Sequence, residues 1–374
     1  MAPKLLLHVG LPKTGTSSIQ RFLFDNRELL LDQGFYIPVF LQQNENVAGV
    51  HAWTSLLAFD EERTEPLVIS FGMHDSLLRR SMRAEKWSQL NEALDKYSEH
   101  TWIVSDEILS ARMLDRRDLQ SLRDNFISLF AECKIVFFLR NQLDSAVGQW
   151  STDVINGSTQ KSMFLPWNLP EDPKRYLHHQ NLLMLWQSCL PNSEFKVQLY
   201  DKQILTIFSE VAGFDMSQIT YIPMRENSTI PACCLQLLAR YNELYPFIID
   251  GSRPASEFRR YIPLAVQRAF SGHPVFKPDA DIKKAYNEYY ALSDEWVRST
   301  YFPELTHLWN ESNTFLPKPK QQLELDHDIE SSILSLLDDF TQRFEMLYAA
   351  SSIPRPSLRK RLMGRILRLK EKLR

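Results

Sequence analysis

Short apolar runs alternate with longer mixed segments over roughly the first half of the chain. These runs occupy residues 4–9, 34–38, 100–105, 133–140 and 194–200. They are short and rich in the β-branched, aromatic and leucine side chains that buried strands favour, while the segments between them are long enough for helices. Because such alternation is typical of a parallel sheet covered on both faces, the pattern predicts a three-layer α/β fold with a central parallel sheet.

The pattern changes near residue 231, where apolar residues take mostly helical spacing up to about residue 350. We therefore expect one α/β domain over residues 1–350, whose last part, about 231–350, consists of helical additions. Residues 351–374 form a tail in which leucines recur on one side of a possible helix and basic residues elsewhere. The tail is predicted to be basic and amphipathic.

The composition is that of an ordinary globular protein, with 44% hydrophobic and 24% charged residues. No run approaches the roughly eighteen apolar residues of a membrane-spanning helix, and no apolar leader precedes the first strand, so we expect a cytoplasmic protein. The four cysteines lack zinc-ligand spacing and are expected to be buried thiols. The net charge is −3, although residues 355–374 hold nine Lys or Arg and one Glu. An acidic body without a recognised binding motif disfavours nucleic acid as a partner.

The segment after the first strand carries the strongest chemical signal. Residues 10–18 read Gly-Leu-Pro-Lys-Thr-Gly-Thr-Ser-Ser, and Ile19, Phe22 and Leu23 then fall at helical spacing. At a helix N-terminus, backbone N–H groups without intrahelical partners attract anions. Gly15 lets an anion approach the backbone, and the hydroxyls after it add donors. The pattern predicts a phosphate-binding loop in a P-loop-like fold; a turn that binds nothing is the alternative.

Gly10 and Gly15 have the spacing of the Walker A pattern, in which a lysine follows the second glycine. Here Thr16 occupies the lysine position, and the loop lysine, Lys13, comes two residues before the second glycine. At the end of another predicted strand, Asp106-Glu107 resembles a Walker B element with its magnesium ligand and base. A magnesium-dependent kinase or ATPase is therefore an open alternative.

Arg140 lies at the end of the apolar strand 133–140. A structural role would require a carboxylate partner such as Asp144, whereas a phosphate can accept two hydrogen bonds from the guanidinium. Ligands in parallel α/β sheets bind beyond the carboxyl ends of the strands. Arg140 is therefore a candidate phosphate ligand.

The loop resembles the 5′-phosphosulfate loop of sulfotransferases, which has the pattern Pro-Lys-x-Gly-Thr-[ST]-[ST]. These enzymes use 3′-phosphoadenosine 5′-phosphosulfate (PAPS). The resemblance implies that Lys13 contacts the bridging oxygen of the sulfonate being transferred. It also implies a 5′-phosphosulfate site formed by Pro12, Lys13, Thr14, Gly15, Thr16, Ser17 and Ser18.

The strand ending in Arg140 resembles the sulfotransferase segment that holds the 3′-phosphate of PAPS. In that segment a serine follows the arginine by eight residues, but here the position is Gly148. Ser145 or Ser151 on the same predicted helix is a candidate substitute. The resemblance therefore implies a 3′-phosphate site at Arg140 and leaves the second ligand open.

Two weaker segments complete the resemblance, which covers residues 4–245 loosely. Residues 198–201, Gln-Leu-Tyr-Asp, resemble the strand-Tyr-Glu-Asp segment near the nucleotide, with one acidic residue instead of two. Residues 225–228, Arg-Glu-Asn-Ser, look like the Arg-x-Asn-x-Ser segment of bacterial polysaccharide or carbohydrate-type sulfotransferases. The latter implies nucleotide binding by Arg225; a helix cap is the alternative.

Sulfonate transfer to an alcohol needs a base, because a hydroxyl is a weak nucleophile until its proton is removed. The bases known in the family are histidine or glutamate. Glu107 is the first candidate, His51 the second and Asp106 the third. A helix N-terminal carboxylate at Glu107 and a loop histidine at His51 are the structural alternatives. No metal is expected, since Lys13 and the loop amides can stabilise the charge that develops on transfer.

The residues together predict transfer of a sulfonate from PAPS to a hydroxyl, or an amine, of a carbohydrate, lipid-linked or small-molecule acceptor. The acceptor pocket is expected from residues 41–100 and the helical C-terminal third. The tail can lie on anionic lipid at the inner face of the membrane, or be solvated. A non-catalytic nucleotide-binding protein is a third hypothesis, because of Gly148 and the open choice of base. The sequence identifies neither the acceptor nor the oligomeric state.

Overall fold

The structure is a computed structural model of the chain. It describes residues 2–42, 48–59, 75–113, 115–219, 230–244 and 275–309. It also describes the separate positions 44, 63, 68, 71, 73, 262–263, 266–267, 270, 333–334 and 337. Two sites predicted from the sequence, Arg225 and the tail 351–374, lie outside the described residues.

Five parallel strands form the central sheet: β1 (Lys4–Val9), β2 (Phe35–Tyr36), β3 (Thr101–Asp106), β4 (Glu132–Leu139) and β5 (Glu194–Leu199). Their order across the sheet is β2-β3-β1-β4-β5. Val9 lies opposite Asp106 on one side and opposite Phe137 on the other. The carboxyl ends of β3, β1 and β4 therefore lie side by side, and the three segments predicted to carry chemistry follow these neighbouring strands.

Helices connect the strands. They are α1 (Thr16–Asp25), α2 (Arg27–Asp32), α3 (Trp53–Ala58), α4 (Ser76–Lys96), α5 (Ile108–Arg112), α6 (Arg116–Asn125), α7 (Gln142–Ile155), α8 (Glu171–Leu177), α9 (His179–Cys189), α10 (Ile204–Ala212), α11 (Ala232–Leu244) and α12 (Ala280–Tyr301). Short 3-10 turns occupy Val39–Leu41, Ile127–Leu129, Pro166–Asn168 and Met216–Gln218. Helices α4 and α6 each begin after an aspartate whose carboxylate accepts backbone N–H groups of the first turn.

The sheet is buried between helices on both faces. On one face, Leu6 belongs to a cluster that includes Phe22 of α1 and Phe208 of α10. On the other face, Phe137 packs edge-on against Trp186 of α9, with 5.3 Å between the ring centroids. Burial of both faces explains the continuous apolar sequences of β1, β3 and most of β4, whereas β5 at the sheet edge alternates polar and apolar residues. The predicted α/β fold with a central parallel sheet is confirmed.

The strands end close to the predicted positions, with one clear difference at the edge of the sheet. The apolar run 34–38 contributes only Phe35–Tyr36, which pair with Thr101 and Trp102. Pro38 has no N–H group with which to continue the ladder. The second strand is therefore much shorter than its apolar run.

Contacts within the chain divide it into two units. The first comprises Met1–Ser145, Asn168–Glu226 and Asn287–Leu308, and it contains the whole sheet. The second comprises Ala146–Trp167, Asn227–Tyr286 and Trp309–Arg374. Within the second unit, the rings of Trp150 and Phe276 lie 4.8 Å apart, and Asn242 Nδ2 donates to the Val154 carbonyl. The loop, Arg140 and the candidate bases all belong to the first unit.

All four cysteines are buried free thiols, as the sequence predicts. Burial raises the pKa of Cys133 to about 12, so its thiol is protonated at neutral pH. In the part of the chain that the structure describes, no helix combines the length and apolar character needed to span a bilayer.

Candidate active site

The loop between β1 and α1 passes so close to its neighbours that glycine is required at two positions. A Cβ atom on Gly10 would lie 2.5 Å from Cγ2 of Thr16 and 3.2 Å from Cβ of Glu107. Gly15 has a φ of +78°, and a Cβ atom there would lie 3.0 Å from Cδ1 of Ile204. The left-handed conformation at Gly15 is one that residues with a Cβ atom adopt at a cost. The two glycines are thus needed where the loop passes close to the residue after β3 and to the start of α10.

The loop presents backbone N–H groups, while its threonine hydroxyls turn inwards. The Oγ1 atoms of Thr14 and Thr16 donate to the Leu11 carbonyl, at 2.8 and 3.2 Å. The N–H groups of Gly15, Thr16 and Ser17 donate to no carbonyl of the described residues. Such groups at a helix N-terminus, together with the positive end of the helix dipole, suit a bound anion.

The other side chains of the loop differ in their access to solvent. Ser17 is exposed, and Pro12, Lys13 and Ser18 are half-buried. Thr14, in contrast, is 1% exposed. Hydroxyl donors for an anion are therefore available at the two serines, whereas the threonines stabilise the loop itself.

Lys13 joins the loop to the other parts of the site. It has a φ of 66° and is the only residue other than glycine with a positive φ in the described part of the chain. This conformation costs about 1–2 kcal/mol and is held by surrounding contacts. One such contact is a hydrogen bond of 2.8 Å from Nη1 of Arg140 to the Lys13 carbonyl. The Lys13 ammonium also interacts electrostatically with the carboxyl group of Glu107.

Arg140 directly follows β4 and reaches across to the loop after β1. Its guanidinium lies over the ring of Tyr200, 5.1 Å from the ring centroid. Desolvation raises the pKa of Asp144 and the Arg140 charge opposes this rise, but the two side chains form no ion pair among the described contacts. The local ion pair considered from the sequence therefore does not account for Arg140.

The start of α7 is fixed by a side-chain cap next to Arg140. Oδ1 of Asn141 accepts a hydrogen bond of 3.0 Å from the N–H of Leu143. Ser145 donates its N–H to the Asn141 carbonyl, and it is 4% exposed. Gly148 lies further along the same helix. A role for Ser145 in binding a 3′-phosphate stays a prediction.

Glu107 lies between β3 and α5, beside the start of the loop. Its side chain is exposed to solvent. The protein around the carboxyl group desolvates it and raises its pKa, while the charge of Lys13 opposes this rise. Glu107 precedes α5 but makes no side-chain capping bond. A carboxyl group with a raised pKa, on a residue that is exposed to solvent, is well suited to accept a proton from an acceptor hydroxyl.

Asp106 is fully buried and turns both carboxylate oxygens into the protein. One oxygen accepts from Ser55 Oγ at 2.6 Å and from Ser55 N at 3.3 Å, and the other accepts from Ile108 N at 2.8 Å. Burial raises the pKa of Asp106 to about 7 in spite of these bonds. Asp106 therefore joins α3 and α5 to the end of β3, and it does not present an oxygen to the loop.

His51 is 1% exposed and has a partner at each ring nitrogen. Nδ1 accepts from Ser105 N at 2.8 Å, so the neutral ring carries its proton on Nε2. Nε2 lies 3.3 Å from the side-chain amide of Gln42 and can donate only to the oxygen of that amide. Burial lowers the pKa of His51 to about 3. Proton transfer to an acceptor requires a ring nitrogen within reach of that acceptor. The geometry therefore favours Glu107 over His51 as the base.

Two serines near the site give no signal in the sequence. Ser55 holds the Asp106 carboxylate, and Ser110 Oγ donates to the Gly10 carbonyl at 2.6 Å. Each lies in a short helix, where serine is common, so the sequence does not mark either residue as functional. Their importance follows from partners that are 51 and 100 positions away in the chain.

Comparison with known proteins gives one structural similarity. No protein-family model matches the chain, and neither does any curated protein. Among solved structures, the chain is similar to a sulfotransferase from Alicyclobacillus acidocaldarius, with 12% sequence identity and a TM-score of 0.40, over 80% of this chain and 96% of that chain. At this identity and TM-score the similarity says nothing about what the chain binds.

Proposed function

We propose that the protein is a PAPS-dependent sulfotransferase. The observation that carries this proposal is the 2.8 Å contact between Arg140 Nη1 and the Lys13 carbonyl. It brings a guanidinium next to the N–H groups of residues 15–17, which donate to no carbonyl in the part of the chain that the structure describes, so two anion-binding groups lie side by side. PAPS carries phosphate at both the 5′ and the 3′ position of one nucleoside, which matches this pairing.

In the proposed complex, each part of the nucleotide has its own group of ligands. The N–H groups of Gly15, Thr16 and Ser17 donate to oxygens of the 5′-phosphosulfate. Lys13 contacts the oxygen that bridges phosphorus and sulfur. Arg140 binds the 3′-phosphate through its guanidinium fork.

The proposed chemistry is a single displacement at sulfur. Glu107 removes the proton of the acceptor hydroxyl as the acceptor oxygen forms a bond to sulfur. The bond between sulfur and the bridging oxygen breaks, and its electron pair stays on the 5′-phosphate of the product, 3′-phosphoadenosine 5′-phosphate (PAP). Lys13 stabilises the charge on that oxygen. General-base catalysis contributes about 10²–10⁴-fold, and the exposed Glu107 can then release its proton to solvent.

Two contacts disfavour a magnesium-dependent kinase or ATPase. Thr16 takes the position of the Walker A lysine, and its hydroxyl donates to the Leu11 carbonyl. Asp106 takes the position of the Walker B aspartate, yet its oxygens are occupied by Ser55 and Ile108. The hydroxyl of Thr16 and both oxygens of Asp106 thus already have partners inside the protein, which disfavours the roles that nucleoside triphosphate hydrolysis or transfer would give these residues.

We further propose that the acceptor is a hydroxyl, or an amine, of a carbohydrate, a lipid-linked compound or a small molecule. The basic sequence of residues 355–374 supports the proposal that the enzyme acts at the cytoplasmic surface of an anionic membrane.

Cosedimentation with vesicles that contain or lack phosphatidylserine tests this proposal. The full chain should bind only the anionic vesicles, and a variant with Arg359, Lys360 and Arg361 changed to Gln should bind them less; equal binding to both vesicles would contradict it.

Calorimetric titration tests the nucleotide proposal. We expect PAP to bind more tightly than AMP, which lacks the 3′-phosphate, and more tightly than ATP with magnesium. Arg140→Ala should lose about 1.5–3 kcal/mol of PAP binding, the value of a hydrogen bond to a charged group. Arg123→Ala is the matched control, because Arg123 pairs with Asp124 on the exposed surface. A preference for ATP with magnesium would overturn the proposal in favour of a kinase or ATPase.

A further inference from the structure

Ser110 connects the candidate base to the phosphate-binding loop. It lies in α5, is 3% exposed, and its Oγ atom is 2.6 Å from the Gly10 carbonyl oxygen and 3.0 Å from the Glu107 carbonyl oxygen. A hydroxyl has one proton to donate, so the two carbonyls share it and the shorter bond to Gly10 dominates. One buried side chain thus contacts both the first residue of the loop and the residue that carries the proposed base.

Other contacts also join these two segments, among them the electrostatic interaction between Lys13 and Glu107. Gly10 N donates to the Asp106 carbonyl at 3.2 Å. The close approach of Gly10 to the Glu107 side chain shows that the segments touch beyond this bond. The Glu107 side chain makes no cap that would fix it to α5. Ser110 therefore supplies the side-chain bond that ties the start of α5 to the loop.

We infer that Ser110 is a positioning residue that holds Glu107 against the Lys13 loop. This inference rests on the proposed function, in which Glu107 is the base and Lys13 contacts the phosphosulfate. Without the Ser110 hydroxyl, the Gly10 and Glu107 carbonyls would lose their shared donor. The loop and the base would then no longer be fixed at one separation.

Proton uptake reports how close the Lys13 loop and Glu107 lie, because nucleotide binding changes the charge next to Glu107. Desolvation raises the pKa of Glu107 and the charge of Lys13 lowers it, while the charge of Glu107 in turn raises the pKa of the neighbouring Asp106. A bound 5′-phosphate neutralises Lys13 and adds negative charge. The pKa of Glu107 must then rise, and Glu107 takes up protons when PAP binds.

The experiment is calorimetric titration of the full chain with PAP in buffers of different ionisation enthalpy, between about pH 5 and 8. The apparent enthalpies give the number of protons taken up per PAP bound. The same titration of the Glu107→Gln variant measures the proton uptake by the phosphates of PAP and by groups that do not depend on Glu107. The difference between wild type and Glu107→Gln is the uptake that depends on the Glu107 carboxyl group, at Glu107 itself and at the neighbouring Asp106.

Three variants separate positioning from general stability. Ser110→Ala removes the hydroxyl, and Ser110→Thr keeps it. Ser209→Ala is the matched control, since Ser209 is also 3% exposed and also donates to the carbonyl three residues earlier, but lies in α10. If Ser110→Ala does not fold, Ser110→Cys replaces it, because a thiol fills the space but is a weak donor.

We expect Ser110→Ala to lose at least about half of the proton uptake at Glu107, with PAP affinity changed less than about threefold. Ser110→Thr and Ser209→Ala should retain the wild-type uptake. Wild-type uptake in Ser110→Ala would overturn the inference, as would a wild-type protein whose uptake equals that of Glu107→Gln. Failure of the wild-type protein to bind PAP at all would instead contradict the proposed function on which the inference rests.

Discussion

The guanidinium of Arg140 donates a hydrogen bond of 2.8 Å to the carbonyl of Lys13. Lys13 holds a left-handed backbone conformation, with φ at 66°. A residue at the end of β4 therefore helps to fix the backbone of the loop that follows β1. The contact orients the Lys13 carbonyl towards β4, and it couples the proposed 3′-phosphate site to the proposed 5′-phosphosulfate site.

The conformation of Lys13 predicts that two substitutions at this position differ in their effect on stability. Lys13→Gly relieves a left-handed conformation that costs about 1–2 kcal/mol with a Cβ atom, whereas Lys13→Ala keeps that cost. Chemical denaturation should give Lys13→Gly a free energy of unfolding about 1 kcal/mol higher than that of Lys13→Ala. Both variants should lose sulfonate transfer, because both lack the ammonium group. Equal stability of the two variants would show that the conformation carries no strain.

The close approach at Gly10 predicts a steric effect that is specific to the loop. Gly10→Ala would force Cβ against Thr16, so we expect a loss of about 1–3 kcal/mol in the free energy of unfolding together with weaker PAP binding. Gly34→Ala is the control: Gly34 has a φ of +86° but open space around it. That variant should lose about 1–2 kcal/mol from backbone strain while PAP affinity stays unchanged. Titration calorimetry and urea unfolding measure the two effects.

The different surroundings of Glu107 and His51 predict that substitution of Glu107 affects mainly turnover, whereas substitution of His51 affects mainly stability. Glu107→Gln should not lower the free energy of unfolding, because it removes a carboxyl group that the protein desolvates, and it should lower turnover by about 10²–10⁴-fold. His51→Ala should cost about 1–3 kcal/mol of stability, because it leaves the buried Ser105 N–H without an acceptor. Turnover is measured with PAPS and an acceptor from a screen, under conditions where each variant is folded. Retained turnover in Glu107→Gln, with turnover lost in folded His51→Ala, would make His51 the base.

The raised pKa of Asp106 predicts how stability depends on pH. Burial moves the pKa from the ordinary value of 3.8 to about 7, so folding favours the protonated acid. This contribution is fully present below about pH 4 and is lost as the pH rises to about 7. Asp106→Asn removes the titration but keeps the size of the side chain. The free energy of unfolding of the wild type, relative to Asp106→Asn, should therefore fall across this range; a constant difference would contradict the raised pKa.

Much of the fold is readable in the sequence because the central strands β1, β3 and β4 are buried on both faces. Continuous apolar runs such as 133–140 differ sharply from the mixed segments between them, and this contrast fixes the number and positions of the strands. The run 34–38 is the exception. Its apolar character is real, but Pro38 cannot continue the ladder, and the strand ends at Tyr36.

The site is readable only in part. Lys13, Gly15 and Arg140 follow strand ends, and the chemistry of a helix N-terminus and of a guanidinium is local to the sequence that carries it. The direction in which a hydroxyl points, in contrast, depends on the folded path of the loop and cannot be read from neighbouring residues. The sequence gives equal weight to the hydroxyls of Thr14, Thr16 and Ser17 as donors to an anion. In the structure, both threonine hydroxyls donate to the Leu11 carbonyl instead.

The sequence by itself determined a parallel α/β sheet, a loop suited to an anion and an arginine at the end of another strand, because each follows from local pattern and composition. The tertiary structure alone decided which carboxyl group is available. Asp106 and Glu107 are adjacent in the chain, yet one is fully buried on Ser55 and the other is exposed beside Lys13. The same holds for Ser110 and Gly10, which are 100 positions apart. Burial, and the resulting pKa, depend on what other segments bring to a residue, and sequence pattern carries no information about those long-range partners.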